Sequence, residues 1–361
     1  MNLRAAAYVG AYFVVLAGSP ATAAESATDV SPICTTVFSE AGPRTLLSRG
    51  SHCFRSNVMD FASNNPERTN PTKADVEAYM YSDNALNQLS WDIKLRFRTN
   101  PREGEWVPLQ LKPYIECGSK CTATSAPTID LVPGGLTNEV TITLTPMMEG
   151  NNLVEFQPFF EYRIVRTGES LEDGQSMANF PSGTYSHVPK IRCDIGLARR
   201  GTKGCVYLEA PAIFSGISMS DPDVDESAIH IREAQATTGI PGKFVGAGDG
   251  SILDGSDAKP LTRTRSQTRI KENRDEARKR YVEQYAEEPV CDLTTDPDDA
   301  PGPCNCDEYP FASTNEGASQ GPFSVKRIDA KDNQRAGARL GNFFTSQRVI
   351  QDDKFFVNIT D

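Results

Sequence analysis

Alternation of polar and apolar positions dominates the first half of the chain. Ser90 to Arg98 reads Ser-Trp-Asp-Ile-Lys-Leu-Arg-Phe-Arg, the period-two pattern of a strand with one buried face. Glu139 to Thr145 repeats it, and so does Val154 to Val165, with Phe156, Phe159, Tyr162 and Ile164 as inward positions. Breaks at Pro133-Gly134-Gly135, Gly150-Asn151-Asn152 and Pro181-Ser182-Gly183 separate the runs. Short strands between turn signals predict an antiparallel β-sandwich-like domain over residues 24–190. Its aromatic residues sit at period-two positions, so they are expected in the core rather than on a ligand platform.

After Lys190 the period changes. Ser227 to Thr237 sets Ile229, Ile231 and Ala234 among charges and predicts a short helix. His230 lies within it, and one His among apolar neighbours is expected to be a packed or capping residue. Gly239 to Asp257, rich in Gly and Asp, reads as a surface loop. Ser266 to Glu288 predicts a long charged helix. Ser324 to Ile328 reads as a strand, followed by a helix to about Phe344 with Asp332 as N-cap. Lys354 to Ile359 is expected to close the chain as a strand. The expected class is therefore α+β, with a smaller α/β-containing unit over residues 191–361.

A chain of 361 residues suits two domains, and 38% hydrophobic with 24% charged residues describes a folded protein. The net charge of -11 argues against a purely electrostatic nucleic-acid coat. Charge is unevenly spread, however. Lys259 to Arg280 carries nine basic and three acidic residues, a local net of +6, and an acidic stretch from Glu287 to Asp299 follows. That basic run reads either as a solvated helix face with i,i+4 pairs or as a phosphate-contacting arm. In the second reading Arg269, Lys271, Arg278, Lys279 and Arg280 are its DNA-binding residues. Only His52, His187 and His230 occur, which makes a three-histidine zinc site improbable.

The amino terminus has the grammar of a secretory signal peptide over residues 1–23. Arg4 precedes the apolar run Ala5 to Ala17, Gly18-Ser19-Pro20 breaks it, and Ala21-Thr22-Ala23 supplies small residues for cleavage. The run is shorter than the roughly 20 residues a bilayer-spanning helix needs. The expected destination is extracellular or periplasmic, with no membrane attachment after cleavage. Nine cysteines agree with an oxidising compartment. Their clustering predicts the bridges Cys34–Cys53, Cys117–Cys121 and Cys193–Cys205, with one further bridge and one free thiol among Cys291, Cys304 and Cys306.

The last fifty-odd residues carry the chemistry. Cys306 to Ala318 concentrates Asp307, Glu308 and Glu316 around the turn at Pro310, and the following strand leads to a helix opening with Asp332-Asn333. Phosphodiester hydrolysis needs a base for water and a divalent cation for the phosphate and the leaving oxygen. Hard cations take oxygen ligands from carboxylates and amides and retain several waters. Asn, Glu and Asp side chains meet those needs without histidine.

Cys-Asp-Glu-Tyr-Pro-Phe-Ala-Ser-Thr from Cys306, the later Glu316-Gly317, Asp332-Asn333-x-x-x-Gly337, Gly341-Asn342 and Asp353-x-Phe-Phe-Val together resemble the secreted NucA/NucB deoxyribonuclease family. More weakly, the resemblance takes in Gly204-Cys205-Val206 and the helix around His230, about the final 170 residues in all. It implies a small ββα-metal nuclease that cuts DNA endonucleolytically with little sequence preference, using Mg²⁺ or Mn²⁺. In that scheme an Asp replaces the usual His base, consistent with no His after His230. Carried over by residue, the resemblance makes Asp307 the general base. Glu308 and Glu316 ligate metal or hold Asp307 and its water in place. Asn333 is the first choice of amide ligand and Asn342 the second; nine residues on a helix put the two about half a turn out of phase. Arg335 is expected to contact the scissile phosphate. The alternatives are an exported surface- or matrix-binding protein with an inactive nuclease-like module, and a delivered antibacterial DNase toxin with a cognate inhibitor protein. The N-terminal domain and the extra cysteine of Cys304-Asn305-Cys306 are departures from the smaller family members.

Overall fold

The computed structural model describes residues 31–34, 42–56, 59–63, 72–104, 106–150, 152–168, 175–176, 188–246, 259–286 and 303–361. The segment 1–23 expected to be a signal peptide, Cys291, the acidic stretch 287–299 and most of the loop expected at 239–257 lie outside them. The strands, in chain order, are β1 (Gly42–Leu46), β2 (Ser51–Arg55), β3 (Met59–Ser63), β4 (Thr72–Asp83), β5 (Trp91–Glu103) and β6 (Leu109–Glu116). Next come β7 (Cys121–Ala123), β8 (Ile129–Asp130), β9 (Val140–Pro146), β10 (Leu153–Phe156), β11 (Phe159–Arg166), β12 (Gln175–Ser176), β13 (Ile191–Ile195) and β14 (Lys203–Tyr207). The remaining elements are β15 (Ala212–Phe214), α1 (Asp225–Ala236), β16 (Leu261–Thr262), α2 (Gln267–Gln284), β17 (Cys304–Tyr309), β18 (Ser324–Asp329), α3 (Ala330–Ser346) and β19 (Lys354–Val357). The class is α+β, a sheet-rich N-terminal region followed by a helix-bearing C-terminal one. Among the described residues no helix is long and apolar enough to cross a membrane.

Three antiparallel sheets build the first region. Their orders are β1-β2-β4-β5-β9-β7 with β3 on β4, β12-β11-β6-β8, and β10-β13-β14. Alternation places Trp91, Ile93, Leu95 and Phe97 of β5 wholly inside, opposite the apolar face of β6 and β11. Phe97 meets Tyr162 with ring centroids 5.6 Å apart, so the two larger sheets bury one core between them.

The run Val154 to Val165 is not one strand. It divides at Gln157-Pro158 into β10 and β11, which belong to different sheets. The phase set by Val154 and Phe156 continues at Phe160, Tyr162 and Ile164, leaving Phe159 outward and 59% exposed. Phe159 is thus corrected from an inward to a solvent-facing position.

Strands β13 and β14 complete the sheet begun by β10, and Ile191, Cys193, Cys205, Tyr207 and Ala210 join the first core. A second core starts at Ala212 and Phe214. The change of core therefore falls between Ala210 and Ala212, past the boundary expected at residues 190 and 191. In the second unit α1 and α3 bury Ala228, Ile231, Ala234, Leu340, Phe343 and Phe344 against β15-β19-β16. Strand β15 runs parallel to β19, and β17-β18 forms a separate antiparallel hairpin.

Buried charge joins the two regions. Arg348, just after α3, donates from Nε to Asp194 of β13 at 2.8 Å and also pairs with it through Nη2. Arg192 donates to Asp353 and, at 2.7 Å, to the Arg348 carbonyl. Arg49 reaches Asp353 and the Gln347 carbonyl. Arg49, Arg192 and Arg348 are 4%, 2% and 2% exposed. Burial, reinforced by Arg192, lowers the Arg49 guanidinium to about 10 against the pull of Asp353.

Disulfides join Cys34 to Cys53, Cys117 to Cys121 and Cys193 to Cys205, as their clustering predicts. In the last group Cys304 is bonded and Cys306 is free.

Candidate active site

Two helix starts set the site. Asp329, not Asp332, is the N-cap of α3: it accepts from the backbone N–H groups of Lys331 and Asp332 at 2.9 and 3.2 Å. Asp332 turns instead to α1, whose own N-cap Val224 offers no side-chain acceptor. It accepts from the Ser227 hydroxyl at 2.6 Å and from the backbone N–H groups of Ser227 and Glu226 at 3.1 and 2.9 Å. Glu226 returns the contact by accepting from Asp329 N at 2.7 Å. Each helix thus supplies a carboxylate to the other's first turn, satisfying donors that a helix start otherwise leaves open.

This cross-capping holds α1 against the hairpin β17-β18. His230, one turn beyond Ser227 and 1% exposed, places Nδ1 2.7 Å from Oδ2 of Asp307 and Nε2 2.9 Å from the Ser324 hydroxyl. A neutral imidazole satisfies both contacts, with Nδ1–H donating to the carboxylate and Nε2 accepting from the hydroxyl. Asp307 Oδ2 is thereby engaged, which leaves Oδ1 for the cleft that Asp307 lines. Asn333, on the first turn of α3, donates from Nδ2 to the Cys306 carbonyl at 3.2 Å and lines the same cleft.

The third wall comes from α2, whose N-cap is Ser266. Its buried Asn273 donates to the Ala312 and Thr314 carbonyls, each at 2.9 Å, and accepts from the Ser319 backbone N–H at 3.1 Å. Gly317 permits this approach, since a Cβ there would lie 2.2 Å from Asn273 Nδ2. The loop after β17 is thus fastened to the basic helix, and Arg274 and Arg278 line the same cleft as Asn333. The cavity measures about 530 Å³, with Phe311 and Leu340 among its apolar lining.

Charge in the cleft is unbalanced at the acidic end. Burial first, and then the neighbouring Asp307, push Glu308 up to about 8, while Arg274 and the Ala312 N–H oppose the shift. Burial also raises the Cys306 thiol, with Glu308 and Asp307 adding to it, so this free cysteine is a poor nucleophile. Glu308, whose ionised form burial disfavours, Asp307 and the Asn333 amide together form a donor set that a divalent cation fits. Among the described residues no group of three or more His, Cys, Asp or Glu side chains is arranged to hold a metal ion by itself.

Of the sequence candidates, Asp307, Glu308, Asn333 and Arg278 come together in this cleft. Glu316 accepts from the Thr262 backbone N–H at 2.7 Å and is not part of the lining. Arg335 is exposed and pairs with Asp223 at 2.6 Å. Asn342 is exposed and away from the lining, as its phase on α3 requires. Arg269 pairs with Glu272 at 3.2 Å and Lys271 with Asp275, while Lys279 and Arg280 are exposed outside the cleft.

Sequence reasoning passed over two residues. Arg274 shares the face of Arg278 at i,i+4. His230 belongs to the buried stripe Ser227, His230, Ile231, Ala234, a spacing that places a polar ring toward the core where it needs a partner.

No curated protein and no solved structure matches this chain. Helix α1, with His230, and strand β15 precede the segment that a known family does cover. Residues 255–358, which include α2, the acidic hairpin, α3 and β19, match the model of the deoxyribonuclease NucA/NucB family, and that match supports a deoxyribonuclease function for the C-terminal part of the chain.

Proposed function

We propose that the protein is an exported, divalent-metal-dependent endonuclease that hydrolyses DNA phosphodiesters with little sequence preference. One observation carries the reading: Asp307, fixed by His230, lines one cleft together with Asn333, Arg274 and Arg278. Asp307 accepts the proton of the attacking water through Oδ1. His230 holds the carboxylate by Oδ2 and excludes solvent from behind it. Arg274 and Arg278 bind the phosphate, and the guanidinium fork allows two parallel contacts to its oxygens. Asn333 and Glu308 would hold the cation, which supplies neutralisation of the phosphate and the leaving oxygen. Contacts of this type address the DNA backbone and carry no base information, which supports weak sequence preference. Export is supported by the signal-peptide pattern of residues 1–23 and by the disulfides.

The test is plasmid nicking with Mg²⁺ or Mn²⁺ against EDTA, alongside Asp307→Asn. Cleavage should need the cation. Asp307→Asn keeps shape but removes the proton acceptor, so turnover should fall on the order of 10²–10⁴-fold with DNA affinity maintained. Wild-type cutting by Asp307→Asn, or full activity in EDTA, overturns the reading.

A further inference from the structure

We infer that the β13–β14 hairpin of the N-terminal region extends the nuclease cleft into a longer DNA-backbone track, so that a segment outside the matched family contributes to substrate binding. The inference rests on the DNA-cleaving reading and adds the partner surface to it. The hairpin runs Ile195-Gly196-Leu197-Ala198-Arg199-Arg200-Gly201-Thr202-Lys203-Gly204, with three cations and no carboxylate. Arg199, Arg200 and Lys203 are all exposed.

Three features make this a placed surface rather than a loose basic loop. The Cys193–Cys205 disulfide crosslinks the two strands directly opposite each other in register. Asp194, at the base of the turn, is wholly buried and paired with Arg348 at the end of α3. The turn also touches the basic helix's approach: Arg265 donates from Nη1 to the Leu197 carbonyl at 2.7 Å, two residues before α2 begins. Asp352, a carboxylate nearby in sequence to the Gln351 that accepts from Arg265 N, is engaged by the Gln351 amide at 2.8 Å.

The exposed cations of the hairpin and Arg265 therefore stand at the start of the helix whose Arg274 and Arg278 line the cleft, with Arg269 and Lys271 between them paired to Glu272 and Asp275. Arg265 to Arg278 spans roughly 20 Å at 1.5 Å per helical residue. At about 3.4 Å of duplex axis per phosphate of one strand, that is roughly six base pairs, and the hairpin lengthens the track beyond it. A duplex held only at the cleft does not reach Arg199 and Arg200, whereas a longer one does.

The experiment compares the full chain with the triple variant R199Q/R200Q/K203Q. The charge-retaining R199K/R200K serves as control, and thermal melting checks folding. Binding to a 30-base-pair duplex is measured in EDTA across a salt series, and cleavage is then measured with Mg²⁺. The triple variant should flatten the slope of log affinity against log salt by up to about 0.9 per lost phosphate contact. It should raise KM on the long duplex, leave kcat unchanged, and leave cleavage of a six-base-pair duplex unaffected. R199K/R200K should keep the wild-type slope. An unchanged salt slope and KM in a folded triple variant overturn the hairpin's role even if the protein cuts DNA. If the wild type binds but does not cut, a slope difference still supports the hairpin while the catalytic reading fails.

Discussion

A buried histidine beside a carboxylate acts as base, acid or prop, and its remaining partners decide which. His230 has both ring nitrogens engaged and does not line the cleft, so it can position Asp307 but cannot reach substrate. His230→Ala should lower kcat by about 10–100-fold, as loss of a supporting partner behind a reactive group does, with KM nearly unchanged. His230→Asn, whose amide can still donate toward Asp307, should recover part of that loss; equal loss of folded protein in both variants would reduce His230 to a core residue. Glu308, the next residue along β17, lines the same cleft. Glu308→Gln removes a charge that burial and Asp307 already disfavour, so the metal-free protein should melt at the same or a higher temperature. Added Mg²⁺ should then give a smaller rise in melting temperature than in the wild type, because a ligand stabilises only in proportion to how tightly the native state binds it. At this scale the acidic motif was legible from Asp307, Glu308 and Asn333. His230 was not, because its partner lies in a strand far along the chain and helical phase alone does not name it.

Helices and strands were read well where one period ran unbroken, as over β5, α2 and β18. Errors arose where two local signals competed. Asp329 and Asp332 both suit an N-cap, and tertiary contact chose between them by drawing Asp332 to the bare start of α1. Asp332→Ala should therefore destabilise by about 1–2 kcal/mol in denaturant titration, the usual worth of a cap, although α3 keeps its own. The same variant should also reduce activity, since α1 carries His230. Gly317→Ala is the matching test on α2: its Cβ would collide with Asn273, which fastens two carbonyls of the acidic loop. It should lower both the melting temperature and kcat, whereas Gly321→Ala, with open space around its Cβ, should not change the temperature by a comparable amount.

For the whole molecule, burial pushes the Asp353 carboxyl upward, but the hydrogen bonds and charge of Arg192, with Arg49, outweigh it and hold the group below its ordinary value. A carboxyl with a lower pKa folded than unfolded adds stability that is full above the unfolded value of 3.8 and fades as pH falls through the folded one. Stability against pH should accordingly drop below about pH 4, and Asp353→Asn should flatten that limb while costing about 3–5 kcal/mol near neutrality by leaving buried arginine charge uncompensated. A flat limb in the wild type would show that the cluster does not couple to folding. None of this was readable in advance, because Arg49, Arg192 and Asp194 meet Arg348 and Asp353 across long sequence separations with no local pattern. Ile191, Cys193, Cys205, Tyr207 and Ala210 likewise pack into a core built earlier in the chain, a long-range contact with no local pattern. The parallel pairing of β15 with β19 has a consequence in time. Phe214 waits for Val357, and the sheet beneath α1 and α3 cannot form until that late strand has been synthesised. A nascent chain thus holds Asp307 before it holds the sheet that supports α1 and α3.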